Sequence, residues 1–298
     1  MSDKLKIKHV YRDTWMFDFP YMSIPFYVLD DKNIVLLDSG YREHGVLIRK
    51  YMDENDIHMR ALIHSHLHID HCSGDAALVQ DKEQEFFLSE AELKKFENDS
   101  KIDDYTRNVM LRVSEREREE YRESLRLLRS RISDVTSLPF VEIEGRRFKL
   151  IDTAGHCREH RIIITPDGVC FLGDLLSCGR ALEMSKIPFA EDLRMDLECK
   201  MNARKYKYSH YIAAHGGEFK KEALKEIINK NLKLSESLLN TVAKFDEREP
   251  DLDVRTASER LISSLNIKTP YSKRHGWIWQ VADSYIEYYR RYGRKLPA

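Results

Sequence analysis

The stretch His64-Ser65-His66-Leu67-His68-Ile69-Asp70-His71 decides how the rest of the chain is read. It follows an apolar strand, Ala61 to Ile63, and runs into a segment of helical character. His66 and His68, two apart at a strand end, point to the same side. Asp70 suits a helix N-cap, with His71 projected from the first turn. Three imidazoles and a carboxylate over 66–71 form a mixed nitrogen and oxygen donor set suited to zinc, iron or manganese. Histidine is scarce and these donors fit strand-to-helix geometry, so an accidental polar loop explains the stretch poorly.

Working outward, the same punctuation recurs. Upstream, residues 15–19, 25–29 and 33–37 read as strands, and the continuous apolar run Val35 to Leu37 ends at Asp38-Ser39-Gly40. Helices are expected over 43–52 and 71–79, with a strand at 85–88. Strands resume at 140–143 and 148–151, the latter closing on Asp152-Thr153-Ala154-Gly155-His156. A hairpin over 161–165 and 169–172 turns at Pro166-Asp167-Gly168 and exits into Gly173-Asp174. After a helix over 192–207, the strand 210–214 ends at His215-Gly216-Gly217. The remainder reads as helices over 218–246, 254–264 and 276–292. Asp38, the histidine block, His156, Asp174 and His215 thus each follow an apolar strand, and loops at one sheet edge can converge on one point.

Composition sets the frame. The chain has 298 residues, enough for one large domain or a domain with an appendage. A net charge of −1 gives no field to draw in nucleic acid or an anionic membrane, and no apolar run is long enough to span a bilayer. Met1 to Lys6 lacks the apolar core of a secretion signal, and the five cysteines show no disulfide or zinc-finger spacing. The expectation is a reduced, cytoplasmic protein.

The ordered motifs His-x-His-x-Asp-His (66–71), Gly155-His156, Gly173-Asp174 and Ala214-His215-Gly216, preceded by Leu37-Asp38-Ser39-Gly40, resemble the metallo-β-lactamase superfamily. The resemblance implies an α/β fold, the αβ/βα four-layer sandwich, with a helical insert and a helical C-terminal extension. The core would span 1–217 with the insert at about 89–133, and the extension 218–298 would cap it. It also implies two divalent ions, zinc first, with iron or manganese as alternatives. His66, His68 and His156 would hold one ion, and Asp70, His71 and His215 the other. Asp174 would bridge them, and Asp38 would orient a ligand histidine from behind. Two such ions about 3.5–4 Å apart acidify a shared water. The resulting bridging hydroxide would attack an ester-like bond (thioester, ester, lactone or phosphodiester), with Asp70 orienting it.

Departures from the pattern narrow the branch. True β-lactamases of this fold replace the bridging carboxylate, which here is Asp174, and the flavodiiron branch replaces a histidine that this chain keeps. Glyoxalase II-like hydrolases resemble the chain in motifs and in helices after the last ligand. They continue the third motif as Gly-His-Thr-x-Gly, whereas this chain has Gly155-His156-Cys157-Arg158-Glu159-His160. In layout the chain is similar to the quinolone-signal response protein, an esterase-like member. A small acyl or phosphoester substrate is expected over nucleic acid. Two other readings stand beside hydrolysis: a metal-retaining regulatory protein acting through its helical regions, and an iron-dependent persulfide dioxygenase.

Single residues carry further expectations. His160 is read either as a group that meets substrate or supports a ligand, or as a strand-start histidine with a backbone partner, and is counted with Asp70 as catalytic. His64 is read as structural, and Cys72 and Cys157 as small buried residues. Ser185 to Phe189 would line the cleft. Tyr271, His275, Trp277 and Trp279 would pack an amphipathic last helix. The charged helices of the insert, rich in Glu-Arg pairs over 112–131, present a solvated face and would serve as a lid or a homodimer contact.

Overall fold

In the computed structural model, which describes residues 5–108, 113–266 and 277–297, the short apolar runs assemble into two sheets. The first holds, side by side in chain order, β1 (Lys6–Tyr11), β2 (Thr14–Phe19), β3 (Met22–Val28), β4 (Asn33–Leu37), β5 (His58–Ile63), β6 (Glu85–Leu88) and β7 (Ile132–Asp134). Pairing is antiparallel from β1 to β4 and parallel from β4 to β7. The second holds β8 (Phe140–Ile143), β9 (Arg146–Asp152), β10 (Arg161–Ile164), β11 (Val169–Phe171), β12 (His210–Ala213) and β13 (Gly217–Lys220). There only β11 and β12 are parallel.

The helices are α1 (Arg42–Glu54), α2 (Ile69–Cys72), α3 (Asp75–Leu78), α4 (Glu90–Leu93), α5 (Asp99–Asn108), α6 (Glu115–Arg131), α7 (Gly179–Met184), α8 (Leu193–Asn202), α9 (Lys221–Asp246), α10 (Val254–Ser264) and α11 (Trp277–Tyr292). The alternation of β10 shows why the molecule is layered. Ile163 packs into the core shared with the first sheet, whereas Ile162 and Ile164 pack into a second core with α8 to α11. Each such side chain contributes roughly 1.5–3 kcal/mol by leaving water. Helices α1, α3 and α6 cover the outer side of the first sheet, with Ile48, Met52, Leu78, Leu125 and Leu128 buried there. The architecture is the αβ/βα sandwich.

Several elements differ from the sequence reading. The helix expected over 71–79 is two short helices, α2 and α3, and the N-cap of α2 is His68, with Asp70 one step inside the first turn. Residues 217–220 are an edge strand rather than the start of a helix, because Gly216 and Gly217, both at positive φ, reverse the chain onto β12. The insert is no loose lid. The buried Tyr121 of α6 donates to Leu67 O at 2.6 Å and Ser124 Oγ to Ser73 O at 3.0 Å, bracing the histidine block from outside. Its charges are largely mutual, as in Arg122 with Glu119 at 2.6 Å. Tyr271 and His275, and the side chain of Trp277, lie outside the described residues; Trp279 is half-buried against the second core. No helix among the described residues is long and apolar enough to cross a membrane.

The strand directions gather the loops. β4 and β5 are parallel, and β9, β11 and β12 share one direction through their pairing with and around β10. Their C-terminal ends release Asp38, the 64–71 block, His156, Asp174 and His215. The sheets are stitched there by Arg161 N–H to Ser65 O at 3.0 Å and Ser23 N–H to Ala214 O at 2.8 Å.

Candidate metal centre

The block after β5 brings His66 and His68 to one side, and the β9–β10 loop brings His156 against them. His68 Nδ1 lies 2.9 Å from His66 Nε2 and 2.9 Å from His156 Nε2. The proton inventory explains which nitrogens are bare. Ser65 Oγ donates to Asp38 Oδ2 at 2.6 Å, so His66 Nδ1–H donates to Ser65 Oγ at 3.0 Å and Nε2 keeps its lone pair. Burial drives His66 and His156 well below the ordinary histidine range and His68 down to about 4. All three are neutral rings with a lone pair to give.

The second half of the site is different in charge. His215 Nε2 is 3.3 Å from Asp70 Oδ2 and 3.4 Å from Asp174 Oδ1, and His71 Nε2 is 3.3 Å from Asp174 Oδ1. Burial opposes charge on His71, yet Asp174, Asp70 and Asp38 hold it up to about 10; His215 is likewise held well above its usual value. Burial raises Asp70 and Asp174, but the rings beside them, His71 and His215, bring both carboxyls well below the usual range. This pocket of carboxylates is built around positive charge. Asp174 faces both halves: Oδ2 is 3.3 Å from His156 Nε2, while Oδ1 faces His71 and His215.

Outer contacts fix these rings. Asp38, at φ +61°, accepts from Ser65 N at 2.7 Å and from His71 Nδ1 at 2.8 Å. Burial would raise its carboxyl, but His71 and His64 hold it down to about 2. His215 Nδ1–H donates to Tyr21 O at 2.8 Å, with Tyr21 in the strained region at φ +92°. His64 is structural, as expected: it sits 3.0 Å from Asp75 Oδ2 and 3.5 Å from Asp38 Oδ1. Burial would lower its pKa, but these carboxylates hold it up to about 9. Cys72 and Cys157 are buried, and burial pushes both thiols far up.

His160 is not placed to react. Its Nε2 accepts the Asp174 backbone N–H at 3.0 Å, so Nδ1 carries the proton and donates to Thr153 Oγ1 at 2.8 Å. Both nitrogens of this fully buried ring are engaged, and it supports the Asp174 loop. Gly173 permits the approach: a Cβ there would lie 2.6 Å from His160 Nε2.

Two clusters of donor atoms meet the spacing of a metal site, one of His66, His68, His156 and Asp174 and one of Asp70, His71 and His215; a further grouping joins Asp38 to His66 and His71. Orphaned atoms agree, since His71 Nε2 and Asp174 Oδ1 are buried without a hydrogen-bond partner among the described residues. Divalent metal fits this donor set. A cavity of about 250 Å³ opens beside it, lined by Asp70, Asp174 and His215 and, further out, by Ser185, Ile187 and Phe189. Sequence reasoning missed Tyr21, whose contribution is a backbone carbonyl with no side-chain signal. It also missed Ser65 and Tyr105, the latter an aromatic inside a charged helix.

A family model described as metallo-beta-lactamase superfamily matches residues 23–215, and the chain belongs to that superfamily. Among curated proteins it is similar to a hydroxyacylglutathione hydrolase of Prochlorococcus marinus (strain MIT 9301), 25% identical over 161 residues, 51% of this chain and 50% of the relative. The counterpart from strain MIT 9312 is also 25% identical, over 162 residues. The chain spans about half the length of the curated relatives it matches. Among solved structures, a beta-lactamase domain protein from Burkholderia ambifaria matches with TM-score 0.63 and 14% identity, over 98% of this chain and 92% of that one. A metallo-beta-lactamase family protein from Thermus thermophilus matches with TM-score 0.62 and 15% identity, over 94% of each chain. These structural likenesses establish the fold alone.

Proposed function

We propose that this chain is a metal-dependent hydrolase of a small ester or thioester, with two divalent ions held by the two donor clusters. The observation that carries the reading is the attitude of Asp174, whose two oxygens face different sets of ring nitrogens at 3.3–3.4 Å. His66, His68 and His156 would hold one ion, Asp70, His71 and His215 the other, and Asp174 both. Ions bound there would supply an acidified water and positive charge for the acyl oxygen.

The chain's own groups do the rest. Asp70, partly exposed beside His215, accepts a hydrogen bond from the attacking water and orients it. Asp38, Tyr21 O and His160 hold His71, His215 and the Asp174 loop in place, so the ligand shell is rigid before substrate arrives. In this reading the core of 1–217 carries the chemistry. The helical insert (about 89–133) and the extension (218–298) shape the cavity, to which they contribute Tyr105 and Asn231. The weak likeness to hydroxyacylglutathione hydrolases supports a thioester among the ester-like bonds.

The test is elemental analysis of protein purified without added metal, followed by assay against ester, thioester, lactone and phosphodiester panels. About two ions per chain and acyl turnover lost in Asp174→Ala are expected. One iron per chain with oxygen uptake on a persulfide would replace the reading with an oxygenase. Full metal content with no turnover of any panel would replace it with a binding role.

A further inference from the structure

The cavity beside the donor clusters has two walls of different character. On the side of the insert, the ring of Tyr105 (α5) lies nearly parallel to that of His68, 24° between planes and 6.3 Å between centroids. Phe189 closes the other side, meeting His68 edge-on at 5.1 Å and His156 at 5.1 Å, with Ile187 and Pro188 beside it. Two polar atoms in this aromatic pocket, Tyr105 Oη and His68 Nε2, are buried without a hydrogen-bond partner among the described residues. With His68 Nδ1 turned to the other imidazoles, Nε2 carries that ring's proton, so both atoms are donors. A buried donor left unpaired costs about 1–3 kcal/mol, and a ligand oxygen would relieve it.

Among the described residues, the far end of the cavity offers no such vacancy. Lys200 is paired with Asp196 one turn away on α8. Asn231 donates to Ser177 O at 2.8 Å and to Ile227 O at 2.9 Å, and accepts from Ser177 N at 3.2 Å. The charge there is balanced and the amide is saturated. The volume, about 250 Å³, falls just below the range of roughly 300–1,000 Å³ usual for drug-sized ligands.

We propose that Tyr105, His68 and Phe189 form an acyl-recognition subsite. It selects a small, uncharged, aromatic acyl group bearing one oxygen beyond the scissile carbonyl, and that oxygen accepts from Tyr105 Oη and His68 Nε2. The subsite deepens the hydrolase reading and rests on it for the reaction, but its binding preference is measurable without turnover. Tyr105 is a binding residue in this scheme. Burial holds its phenol well above the ordinary value, so it stays a donor across working pH.

The test is calorimetric titration of the metal-loaded protein with phenylacetate and with 3- and 4-hydroxyphenylacetate, the acids such substrates would release. At least one hydroxylated acid should bind about tenfold or more tighter than phenylacetate. Tyr105→Phe should bring the two within about twofold, leaving phenylacetate affinity unchanged and Tm at or above that of wild type, because the hydroxyl it removes is buried with no partner among the described residues. Equal binding of all three acids to the wild type, no binding of any, or an equal loss for all three in Tyr105→Phe would each overturn the subsite. The N-acetylcysteamine thioesters of the same acids are assayed in parallel. No turnover with the binding preference intact would sink the hydrolase reading and leave the subsite standing.

Discussion

Asp38 Oδ2 accepts the Nδ1 proton of His71 at 2.8 Å, and this one bond aims His71 Nε2 at Asp174. The same carboxylate takes Ser65 N–H and Oγ–H, so it also sets the tautomer of His66. One buried anion, at a backbone angle that L-residues adopt at a cost of about 1–2 kcal/mol, thus orients a donor in each half of the site.

Replacing it should therefore weaken metal binding without removing any ligand. Asp38→Ala is expected to lower affinity for the second ion by about 10–100-fold, read by competition with a chromogenic chelator. An affinity equal to wild type would mean that His71 is held by something else.

His160 gives a sharper separation between moving a proton and holding a loop. His160→Gln is expected to lower Tm and to reduce kcat by about tenfold, while both limbs of the kcat pH profile stay where they are. Disappearance of one limb would show that His160 itself titrates in the reaction.

Glu92 carries a pH-dependent cost. It is buried, and accepts from Cys157 Sγ at 3.4 Å; burial pushes its carboxyl up to about 7 against the pull of Lys95. An unfolded Glu titrates near about 4.3. The folded state therefore binds the proton more tightly, and the stability this gives is full below about 4.3 and lost as pH rises through about 7. Glu92→Gln, which mimics the protonated form, should exceed wild type by roughly 1–3 kcal/mol in urea unfolding at pH 8 and by clearly less at pH 5. A constant difference across that interval would contradict the assignment.

Asp167 clamps the two sheets at the end away from the metal donors. Its carboxylate accepts from Asp13 N and Thr14 N, both at 3.1 Å, from Thr14 Oγ1 at 2.8 Å and from Thr165 Oγ1 at 2.5 Å. Asp167→Ala should cost about 1–3 kcal/mol in urea unfolding and leave metal content unchanged. Loss of metal in that variant would tie the clamp to the site.

What the sequence disclosed follows from what each residue has to do. Val35 to Leu37 and Ala61 to Ile63 are covered on both faces, so they read as unbroken apolar runs, and the donors after them stood out by type and spacing. β1 was hidden because it lies at an edge, where Lys6-Ile7-Lys8-His9 can stay half-wet. β13 was masked by its own brevity and by the long amphipathic helix that follows it. The role of His160 was undecidable from its position alone, because it depends on Gly173 letting a backbone amide come within 3.0 Å. Tyr105 was lost among the aspartates of its helix and Tyr121 among Arg and Glu, although an aromatic on a helix so polar is itself a sign of a buried face.

The stitches between the sheets also bear on timing. Each donor cluster draws side chains from both sheets, and His215 follows the last strand but one. While the polypeptide is being made, the histidine block emerges early and alone, and a stray ion would find only half a cage. With the proposed ligands, complete chelation would need the two halves to have closed, as they have where Ser23 N–H meets Ala214 O. Metallation would then come at the end of biogenesis, and an ion enclosed there would resist the sliding apart of the two sheets.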